Sequence, residues 1–569
     1  MFIKKIKIKR TLIDKVVILT LDVSSFYHLQ NLSFSPIYPR KRRKLMRVVI
    51  IGGNDAGMAA AMHLRRIDDR CEIIILETSN EFAVSTCGLP YLVGRKVADP
   101  QALIGASPEQ IKKLFHIEVR LNVEIKKIDA NKKIITFQNN KTLSYHNLIL
   151  AGWCRHKPRI KGVDQSWVLD ASCLKDVSKL TKLKPQKALI VGDGFLSLRL
   201  AEALLKQKVE VTLATPKKYI LSDFDKDFAE MVQHKLPIKK IMLLPQISPA
   251  TFLDKHVVFN DGRTGSFDLA LLLPVETSAV NLPITPPLKT GFHKKFVVDE
   301  RMKTSAEDVF ACSQLIEYQD ILTQRSQFLT GPALSSLTAK AAADSVCGHI
   351  SSFGKILKNQ IVKVFDYYIG QTGCTEYELK NAGIPYHILY LSQMQAEVYL
   401  KEATPLNAKF LFGNDGRILG LQLLGKHGVH CRINIIAALI MCHTSVYQLE
   451  KFPIAYFPEL SLAKDMLNNL GSLAADILDK KLKTLSLEAL KKDDVLLNVC
   501  QKMKIKPFVK AKIIHIALQD LRNSLSQLPK DKNILVYCGS GYAAYLAYCL
   551  LSAHGFKNVF LLNSPDVWQ

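Results

Sequence analysis

The chain has 569 residues, of which 48% are hydrophobic and 22% are charged. This is ordinary globular usage, which excludes a disordered chain and a fibrous repeat, and roughly 150 residues per domain predicts two to four domains. The net charge of +26 favours anionic partners such as nucleic acids, acidic membranes or phosphorylated metabolites. No apolar run reaches the roughly 18 residues of a membrane-spanning helix, so we expect no membrane contact.

Part of the positive charge lies in the first 45 residues, ahead of the Met46 that opens the first predicted strand. The stretch 1–47 contains twelve basic residues and two acidic ones, Asp14 and Asp22. The acidic residues interrupt the apolar core that a signal peptide needs. We interpret 1–45 as a basic leader, disordered or upstream of the native start, and expect no nucleic-acid binding because aromatic interleaving is lacking.

A strand, a glycine-rich turn and a helix follow one another from Arg47 to Arg66. The turn reads Gly52-Gly53-Asn54-Asp55-Ala56-Gly57. The next apolar run, 72–76, ends in Glu77, where a carboxylate commonly binds a ribose diol. Glycines let the backbone approach a pyrophosphate, and the helix amino end supplies N–H donors. The candidate residues of this first dinucleotide site are Gly52, Gly53, Ala56, Gly57 and Glu77.

The same pattern returns about 140 residues later, which predicts a second nucleotide site. Its turn reads Gly192-Asp193-Gly194-Phe195-Leu196-Ser197. No carboxylate ends the following strand, 210–214; Lys217 and Lys218 come next and suit a 2′-phosphate, which favours NADPH over NADH. An exposed basic turn is the alternative. The candidate residues here are Gly192, Gly194, Ser197 and Lys217.

Twelve cysteines are scattered at irregular spacings, without a CxxC pair or a Cys/His cluster at zinc spacing. We therefore expect a reducing, cytoplasmic compartment and no metal site. Cys87 stands beside Gly88 and close to Pro90, just past the first βαβ unit, where ligands bind. We interpret it as a redox thiol, with a small residue in a structural turn as the alternative. Two nucleotides and one such thiol suggest electron flow from nicotinamide through flavin to sulfur.

From Met46 to about Lys480 the chain resembles the pyridine nucleotide-disulfide oxidoreductases, in particular the single-cysteine branch of the coenzyme A-disulfide reductases. The residues that carry the resemblance, besides the two glycine turns, are Cys87-Gly88-Leu89-Pro90-Tyr91, Gly416-Arg417-Ile418-Leu419-Gly420, Tyr456-Phe457-Pro458 and Ala463-Lys464-Asp465. The resemblance implies a homodimer in which NADPH, or NADH, reduces FAD, and the flavin reduces a mixed disulfide of Cys87 with coenzyme A.

The resemblance also implies roles for single residues. Tyr456 and Tyr399 are expected to reach the partner subunit's site as hydroxyl donors, with half-buried interface aromatics as the alternative. Arg66 and Lys464 are expected to bind the coenzyme A phosphates, with ordinary surface cations as the alternative. A helix amino end and the flavin are expected to favour the Cys87 thiolate.

Besides Asn54, Ser197 and Ser313, which stand where the family usually has glycines, three positions depart from the family pattern. Trp153 follows Ala151-Gly152 where the family has Ala-Thr-Gly. Gln314 replaces the aspartate that accepts a hydrogen bond from the ribityl chain of FAD; it keeps a carbonyl acceptor but lacks the charge, worth about 1–3 kcal/mol. Arg199 replaces an acidic residue near the expected path of the nicotinamide, which predicts impaired hydride transfer.

The last segment contains a strand, 534–537, that runs into Cys538 on a glycine-bearing loop before an Ala-rich helix. Loop N–H groups aimed at sulfur favour a thiolate or a persulfide. The segment resembles a rhodanese domain, which implies sulfur transfer through Cys538. It departs from that pattern at Ala543, where an arginine is usual, and at 498–500, where Asn-Val-Cys replaces Asp-x-Arg. An idle thiol in a retained fold is the alternative.

We thus expect an α/β protein with two Rossmann-like dinucleotide-binding domains, an α+β dimerisation domain and a C-terminal α/β rhodanese-like domain. The expected units are the leader 1–45, a first FAD-binding segment 46–160, an NAD(P)-binding domain 161–285, a second FAD-binding segment 286–350, the dimerisation domain 351–480 and the rhodanese-like domain 481–569. The leading functional hypothesis is an FAD-dependent NAD(P)H reductase of coenzyme A disulfide or a related per- or polysulfide. NADH oxidase activity and a non-catalytic flavoprotein scaffold are the alternatives.

Overall fold

The computed structural model describes residues 46–152, 160–180, 182–235, 240–273, 282–328, 331–349, 353–501, 511–538 and 541–565. The basic leader and Trp153 lie outside these ranges. Within them, no helix is both long enough and apolar enough to cross a membrane.

The first nucleotide unit begins with a buried, β-branched strand. Its elements up to residue 152 are β1 (Arg47–Ile51), α1 (Asp55–Ile67), β2 (Glu72–Leu76), α2 (Leu89–Val93), α3 (Pro108–Phe115), β3 (Ile117–Arg120), β4 (Ile125–Asp129), β5 (Ile134–Phe137), β6 (Thr142–Ser144) and β7 (Asn147–Leu150). Strands β1 and β2 pair in parallel, with Arg47 opposite Glu72. Continuous apolar runs of this kind are typical of parallel strands that are buried on both faces.

The second nucleotide unit follows and repeats this arrangement. Its elements are β8 (Val168–Asp170), α4 (Leu174–Lys179), β9 (Lys187–Val191), α5 (Phe195–Lys206), β10 (Glu210–Thr215), α6 (Lys226–Lys235), β11 (Ile241–Pro245), β12 (Pro249–Leu253), β13 (His256–Phe259), β14 (Thr264–Ser266) and β15 (Leu269–Leu272). Its parallel sheet has the order β11-β10-β9-β15-β8, and β12-β13-β14 form a separate antiparallel sheet.

The chain then returns to the first unit. The returning elements are β16 (Ile284–Thr285), β17 (Phe296–Val297), β18 (Val309–Ala311), β19 (Ile316–Gln319), β20 (Ser326–Gln327) and α7 (Pro332–Val346). Strand β18 completes the parallel sheet in the order β18-β7-β1-β2-β3, and β16 joins β4, β5 and β6. Strand β16 pairs in parallel with β4 of the first FAD-binding segment.

An antiparallel sheet forms the centre of the next unit. The elements are β21 (Asn359–Val364), β22 (Tyr367–Gly373), α8 (Glu376–Ala382), β23 (His387–Met394), β24 (Pro405–Phe412), β25 (Ile418–Gly425), α9 (Val429–Met441), α10 (Val446–Glu450) and α11 (Met466–Leu478). The strand order is β21-β22-β25-β24-β23. Gly370 lets α9 approach the sheet, because a Cβ there would lie 2.9 Å from the Ile433 side chain.

The C-terminal unit is a parallel sheet with the order β26-β30-β29-β27-β28. Its elements are β26 (Thr484–Leu485), β27 (Val495–Asn498), β28 (Lys512–His515), α12 (Leu518–Leu521), β29 (Ile534–Tyr537), α13 (Tyr542–Ala553) and β30 (Val559–Leu562). Its core is continuous with that of the antiparallel unit, and Tyr545 donates a hydrogen bond to Asp476 across the boundary (2.7 Å).

A fully buried lysine joins the second nucleotide unit to the antiparallel unit. The Lys409 ammonium on β24 lies 3.1 Å from Asp225 and 2.7 Å from Asp227, beside α6, and also contacts Glu376 at the start of α8. Burial opposes the charge on Lys409, but the three carboxylates outweigh it and raise the pKa of the lysine. The cluster therefore keeps its cation and ties two units together.

We expect Lys409→Met to destabilise the protein by about 3–5 kcal/mol, because it leaves buried carboxylates without their counter-charge. The measurement is the denaturant midpoint of unfolding, followed by tryptophan fluorescence and circular dichroism. The matched control is Lys226→Met, which removes a solvent-exposed partner of Glu230 on α6 and is expected to leave the midpoint nearly unchanged. An unchanged midpoint in Lys409→Met would contradict the structural role.

Candidate active site

The first glycine turn lies at the carboxyl end of β1 and brings α1 into close contact with it. Gly52 has φ +110°, a conformation that favours glycine. A Cβ at Gly57 would lie 1.8 Å from the Gly52 carbonyl oxygen, so only glycine permits this packing of helix on turn. The amino end of α1 is thereby placed at the edge of the parallel sheet, where dinucleotides bind.

Asn54 takes the N-cap position of α1, where the motif usually has its second glycine. Its Oδ1 accepts hydrogen bonds from the N–H groups of Ala56 and Gly57, both at 3.1 Å. Its Nδ2 donates to the carbonyl of Ala151 after β7 (3.1 Å). A Cβ at position 152 would lie 2.7 Å from this Nδ2, so Gly152 makes room for Asn54. The two departures from the family pattern therefore fit each other.

Glu77 follows β2 and faces the same turn. Its Oε2 accepts from the N–H of Gly53 (2.7 Å), and its Oε1 accepts from the N–H of Ser79 (2.9 Å). The carboxylate is thus held next to the glycine turn, at the place expected for an acceptor of ribose hydroxyls.

Gln314 lies in the 3₁₀ turn Ser313–Leu315, which packs on α7. Its side chain is partly buried and has no hydrogen-bond partner among the described residues. Ser313, at the glycine position of the family, has φ +64°. It is fixed by hydrogen bonds with Thr338 (3.0 Å), Ser335 (2.7 Å) and Tyr318 (2.8 Å). Because Ser313 is held, the backbone of the turn that carries Gln314 is fixed.

These residues fit FAD. Glu77 would hold the adenosine ribose, the amino end of α1 would face the pyrophosphate, and the amide of Gln314 would face the ribityl chain. The chemistry of this donor set matches the polar half of the cofactor. Asn54 already accepts from the two N–H groups of α1 that a phosphate would otherwise take, so a bound phosphate shares or replaces this cap.

The second glycine turn, after β9, leaves open space at the amino end of α5. A Cβ at Gly194, the N-cap residue, would meet no atom within 4 Å. Ser197 replaces the third glycine; it is fully buried, and its Oγ has no hydrogen-bond partner among the described residues. A Cβ at Gly192 would lie 2.8 Å from this Oγ, so the turn tolerates serine only because residue 192 is glycine. The open helix end suits a second dinucleotide.

The basic residues of the second unit have two different environments. Lys217 and Lys218 are both exposed just after β10, as expected for a site that meets a ligand from solvent. Arg199 is instead held on α5: its guanidinium lies 4.8 Å from the ring centre of Tyr91, and it donates to the carbonyl of Lys363 (2.7 Å). The side chain thus packs on the Cys87-to-Tyr91 motif and on β21.

Cys87 lies in the 3₁₀ turn Thr86–Gly88, directly before α2, and its residue is exposed. Partial burial of the sulfur and the negative charge of Asp55 raise the pKa of this thiol. Asp55 is in the first turn of α1. The amino end of a helix is therefore near Cys87, but burial of the sulfur and the carboxylate in the first turn of that helix disfavour the thiolate. The expected thiolate, which also depends on the flavin, stays a prediction.

The structure brings Tyr399 and Tyr456 together on the antiparallel unit. Tyr456 donates to Glu397 (3.1 Å), and burial, this bond and the neighbouring Tyr399 raise its pKa. The exposed fraction is 69% for Tyr399 and 50% for Tyr456. Lys464 is also exposed, just before the N-cap of α11. No hydrogen bond or ion pair between described residues links these side chains to Cys87 of the same chain.

Arg66 lies in the last turn of α1 and is exposed. Its guanidinium contacts Nδ1 of His63 (2.5 Å), and Nε2 of that ring is 2.7 Å from Asp344. Asp55, beside Cys87, begins the same helix. At 1.5 Å per residue, Arg66 and Asp55 are about 16 Å apart along the axis, so only an elongated ligand touches both ends.

Cys538 follows β29 and is 7% exposed, and its sulfur lies 3.3 Å from that of Cys500, which follows β27. A small cavity lined by Cys538 extends to residues of β23 and α11 in the antiparallel unit. Ala543 is partly buried in the first turn of α13. Cys500 was not predicted as a site residue. The apolar run 495–497 ahead of it indicates a strand, but nothing in the sequence shows that this strand lies beside β29.

Three family models match successive parts of the chain. Residues 46–327 match the pyridine nucleotide-disulphide oxidoreductases, 360–466 match the dimerisation domain of the same family, and 476–564 match the rhodanese-like domain. The two oxidoreductase models together cover well over half of the chain.

Curated relatives include a coenzyme A disulfide reductase from Staphylococcus epidermidis, 26% identical over 75% of this chain and 99% of the relative. An NADH oxidase from Methanocaldococcus jannaschii is 26% identical over 77% of this chain and 99% of the relative. Among solved structures, reduced CoADR-RHD from Bacillus anthracis has a TM-score of 0.84 and 27% identity, covering 92% of this chain and 97% of that one.

A NAD-dependent persulfide reductase from A. fulgidus also has a TM-score of 0.84, with 26% identity, and covers 92% of this chain and all of that one. Both structural matches extend past the oxidoreductase domains into the C-terminal unit. The expected fold class is confirmed: two nucleotide-binding domains, a dimerisation domain and a rhodanese-like domain. The chain therefore belongs to the pyridine nucleotide-disulphide oxidoreductases, FAD-dependent enzymes that take electrons from NAD(P)H, and it carries a rhodanese-like domain at its C-terminal end.

Proposed function

We propose that the protein uses NAD(P)H to reduce coenzyme A disulfide, or a related per- or polysulfide, through the single thiol of Cys87. The observation that carries the proposal is an exposed cysteine in a short turn between two dinucleotide sites, beside the amino end of α1. The relatives named as coenzyme A disulfide reductases and the structural neighbour named as a persulfide reductase support the substrate class.

The chemistry at Cys87 is thiol–disulfide exchange. The thiolate attacks one sulfur of the substrate disulfide, the Cys87–sulfur bond forms, the substrate S–S bond breaks and the first coenzyme A leaves as thiolate. Bound FAD supplies the electron pair, taken from NAD(P)H, that cleaves the mixed disulfide. The second coenzyme A then leaves and Cys87 is a thiol again. One protein cysteine suffices because the substrate brings the second sulfur.

The raised pKa of Cys87 gives the protein a way to limit this reaction. Burial and the charge of Asp55 disfavour the thiolate, so the thiol alone is a weak nucleophile at neutral pH. A cationic or electron-poor group bound over the turn would offset Asp55.

In this proposal the bound substrate lies along α1. With the reacting sulfur at Cys87 and the phosphates at Arg66, the ligand spans about the length of the helix, which matches an elongated thiol with phosphates at its far end. Lys464, Tyr399 and Tyr456 then act from the partner subunit. Their exposure, together with that of Val398, Phe457 and Leu460, supports a dimer interface on this face.

Two finer points belong to the same proposal. The exposed pair Lys217 and Lys218, with no carboxylate at the end of β10, supports NADPH over NADH. The rhodanese-like domain would pass sulfane sulfur through Cys538. The cytoplasmic location expected from the cysteines stays a prediction.

A second candidate, NADH oxidase activity at the same thiol, has support from the Methanocaldococcus relative. It differs in its electron acceptor. An oxidase consumes NADH in air without added disulfide, whereas a disulfide reductase does not turn over until the disulfide is supplied.

The first test is Cys87→Ser. We expect coenzyme A disulfide-dependent NADPH oxidation to fall by at least about a thousandfold, because the nucleophile is lost, while NADPH still bleaches the flavin absorbance. Cys431→Ser, at another exposed cysteine, is the control and should keep full activity. Disulfide-dependent turnover by Cys87→Ser would refute the proposal, and oxygen consumption without disulfide would favour the oxidase.

The second test is Arg66→Met. We expect KM for coenzyme A disulfide to rise about 10- to 100-fold with little change in kcat, since one charge-assisted contact to a phosphate is worth about 1.5–3 kcal/mol. The matched control is a small dialkyl disulfide without phosphates, for which the variant and the natural protein should have equal KM. A rise in KM for both disulfides would mean a structural defect and not lost phosphate binding.

The third test uses pH. Because burial and Asp55 raise the pKa of Cys87, its alkylation by iodoacetamide should increase with a midpoint above that of an ordinary thiol. Asp55→Asn removes the negative charge and should move the midpoint to lower pH, with faster alkylation at neutral pH. Peptide mass spectrometry follows Cys87 alone, and Glu109→Gln on α3 serves as the control. A midpoint unaffected by Asp55→Asn would contradict the electrostatic cause.

A further inference from the structure

We propose that Cys500 and Cys538 form a redox-active pair in which Cys500 discharges a persulfide carried by Cys538. This inference rests on the sulfur transfer proposed for Cys538 and adds the residue and the chemistry that complete it. Its starting point is the contact between the two sulfur atoms, which are 3.3 Å apart.

The strand register makes this contact a property of the fold. Strands β27 and β29 are parallel neighbours, with Asn498 opposite Tyr537, and the N–H of Val499 donates to the Tyr537 carbonyl (3.0 Å). Cys538 directly follows Tyr537, whereas Cys500 is two residues after Asn498, so the two cysteines are offset by one residue in the strand register. Strand spacing and rise put their Cα atoms about 6 Å apart, within the range that a disulfide bridges.

Asn498 positions Cys500. Its Oδ1 accepts from the N–H of Cys500 (2.9 Å), which closes a turn directly after β27, and its side chain is fully buried. The resemblance places an aspartate and an arginine in this segment, so the asparagine keeps the turn while cysteine takes the arginine's place. A cation is thereby exchanged for a second thiol.

The surroundings favour a small sulfur species and an internal resolving thiol. Cys538 is buried, and a Cβ at Gly541, three residues on, would lie 2.9 Å from Leu391 of the antiparallel unit. The cavity beside Cys538 is lined by Tyr390, Leu391 and Ser392 of β23. A bulky acceptor is excluded from this side, whereas Cys500 is already in contact and is partly exposed.

The cycle balances in atoms and electrons. The Cys538 thiolate takes one sulfane sulfur from a polysulfide, which leaves one atom shorter. The Cys500 thiol then attacks Sγ of Cys538; the Sγ–Sγ bond forms, the persulfide bond breaks, and the outer sulfur leaves as hydrosulfide with the thiol's proton. Two molecules of a low-molecular-weight thiol reduce the new disulfide to two thiols and become a disulfide themselves. That product belongs to the class proposed as the substrate at Cys87.

The test uses the full-length protein with bound FAD and inorganic tetrasulfide as the sulfur donor. In the natural protein, peptide mass spectrometry should find Cys500 linked to Cys538, with release of sulfide. In Cys500→Ser, a persulfide should persist on Cys538, and sulfide release should be at least about 100-fold slower, because a thiol in contact has a high effective concentration. Cys549→Ser, at an exposed cysteine on α13, is the matched control and should behave like the natural protein.

Equal sulfide release by Cys500→Ser and the natural protein, with no linked peptide, would overturn this inference and leave sulfur transfer intact. The absence of any persulfide on Cys538 in Cys500→Ser would overturn both. Flavin absorbance and disulfide-dependent NADPH oxidation, measured on the same samples, show that the variant is folded and keep the function of Cys87 separate. Cys500→Ala provides a second variant with the same expected result.

Discussion

The contact between α1 and the glycine turn after β1 is the constraint on which the reductase site depends. A Cβ at Gly57 would lie 1.8 Å from the Gly52 carbonyl oxygen, too close for any side chain. This close packing sets the direction of the helix. Its first turn then places Asp55 beside Cys87, and its last turn presents Arg66. One helix axis therefore sets the relative positions of the expected cofactor contact, the thiol of Cys87 and the expected substrate contact.

Much of this arrangement was predictable because its signals are local. A buried β-branched run, a glycine turn and an Ala-rich helix define each nucleotide unit within about 30 residues, and the structure has both units where the sequence predicts them. The position of Cys87 after the first unit was predictable for the same reason. Contacts between residues distant in sequence were not predictable. Asn54 and Gly152 are nearly 100 residues apart, and nothing local indicates that one makes room for the other.

The electrostatics were the least predictable part. Lys409 lies in a strand pattern that does not distinguish a surface lysine from a buried one, and the carboxylates around it come from two other segments. The pKa of Cys87 was expected to fall because a helix amino end is near, since the partial positive charge there favours anions. Burial of the sulfur and one carboxylate in the first turn oppose that effect, so the sign of such a prediction depends on burial and on the side chains of the helix as well as on its direction.

The departures from the family pattern follow a common physical rule. A substituted residue that is buried needs partners for its polar atoms, and several departures find them. Asn54 caps α1 and bonds Ala151, Ser313 is held by three hydroxyl groups, and Arg199 packs on Tyr91. Two departures keep a buried polar atom that no described residue satisfies, the hydroxyl of Ser197 and Nδ2 of Asn498.

Such an unsatisfied group costs about 1–3 kcal/mol, and that of Ser197 lies at the amino end of α5, next to open space above Gly194. A hydroxyl in that position gains a partner only when something enters the turn, either water or the phosphates of a dinucleotide. The unsatisfied hydroxyl of Ser197 is therefore one that a ligand can satisfy, whereas the departures at Asn54, Ser313 and Arg199 are already compensated inside the protein.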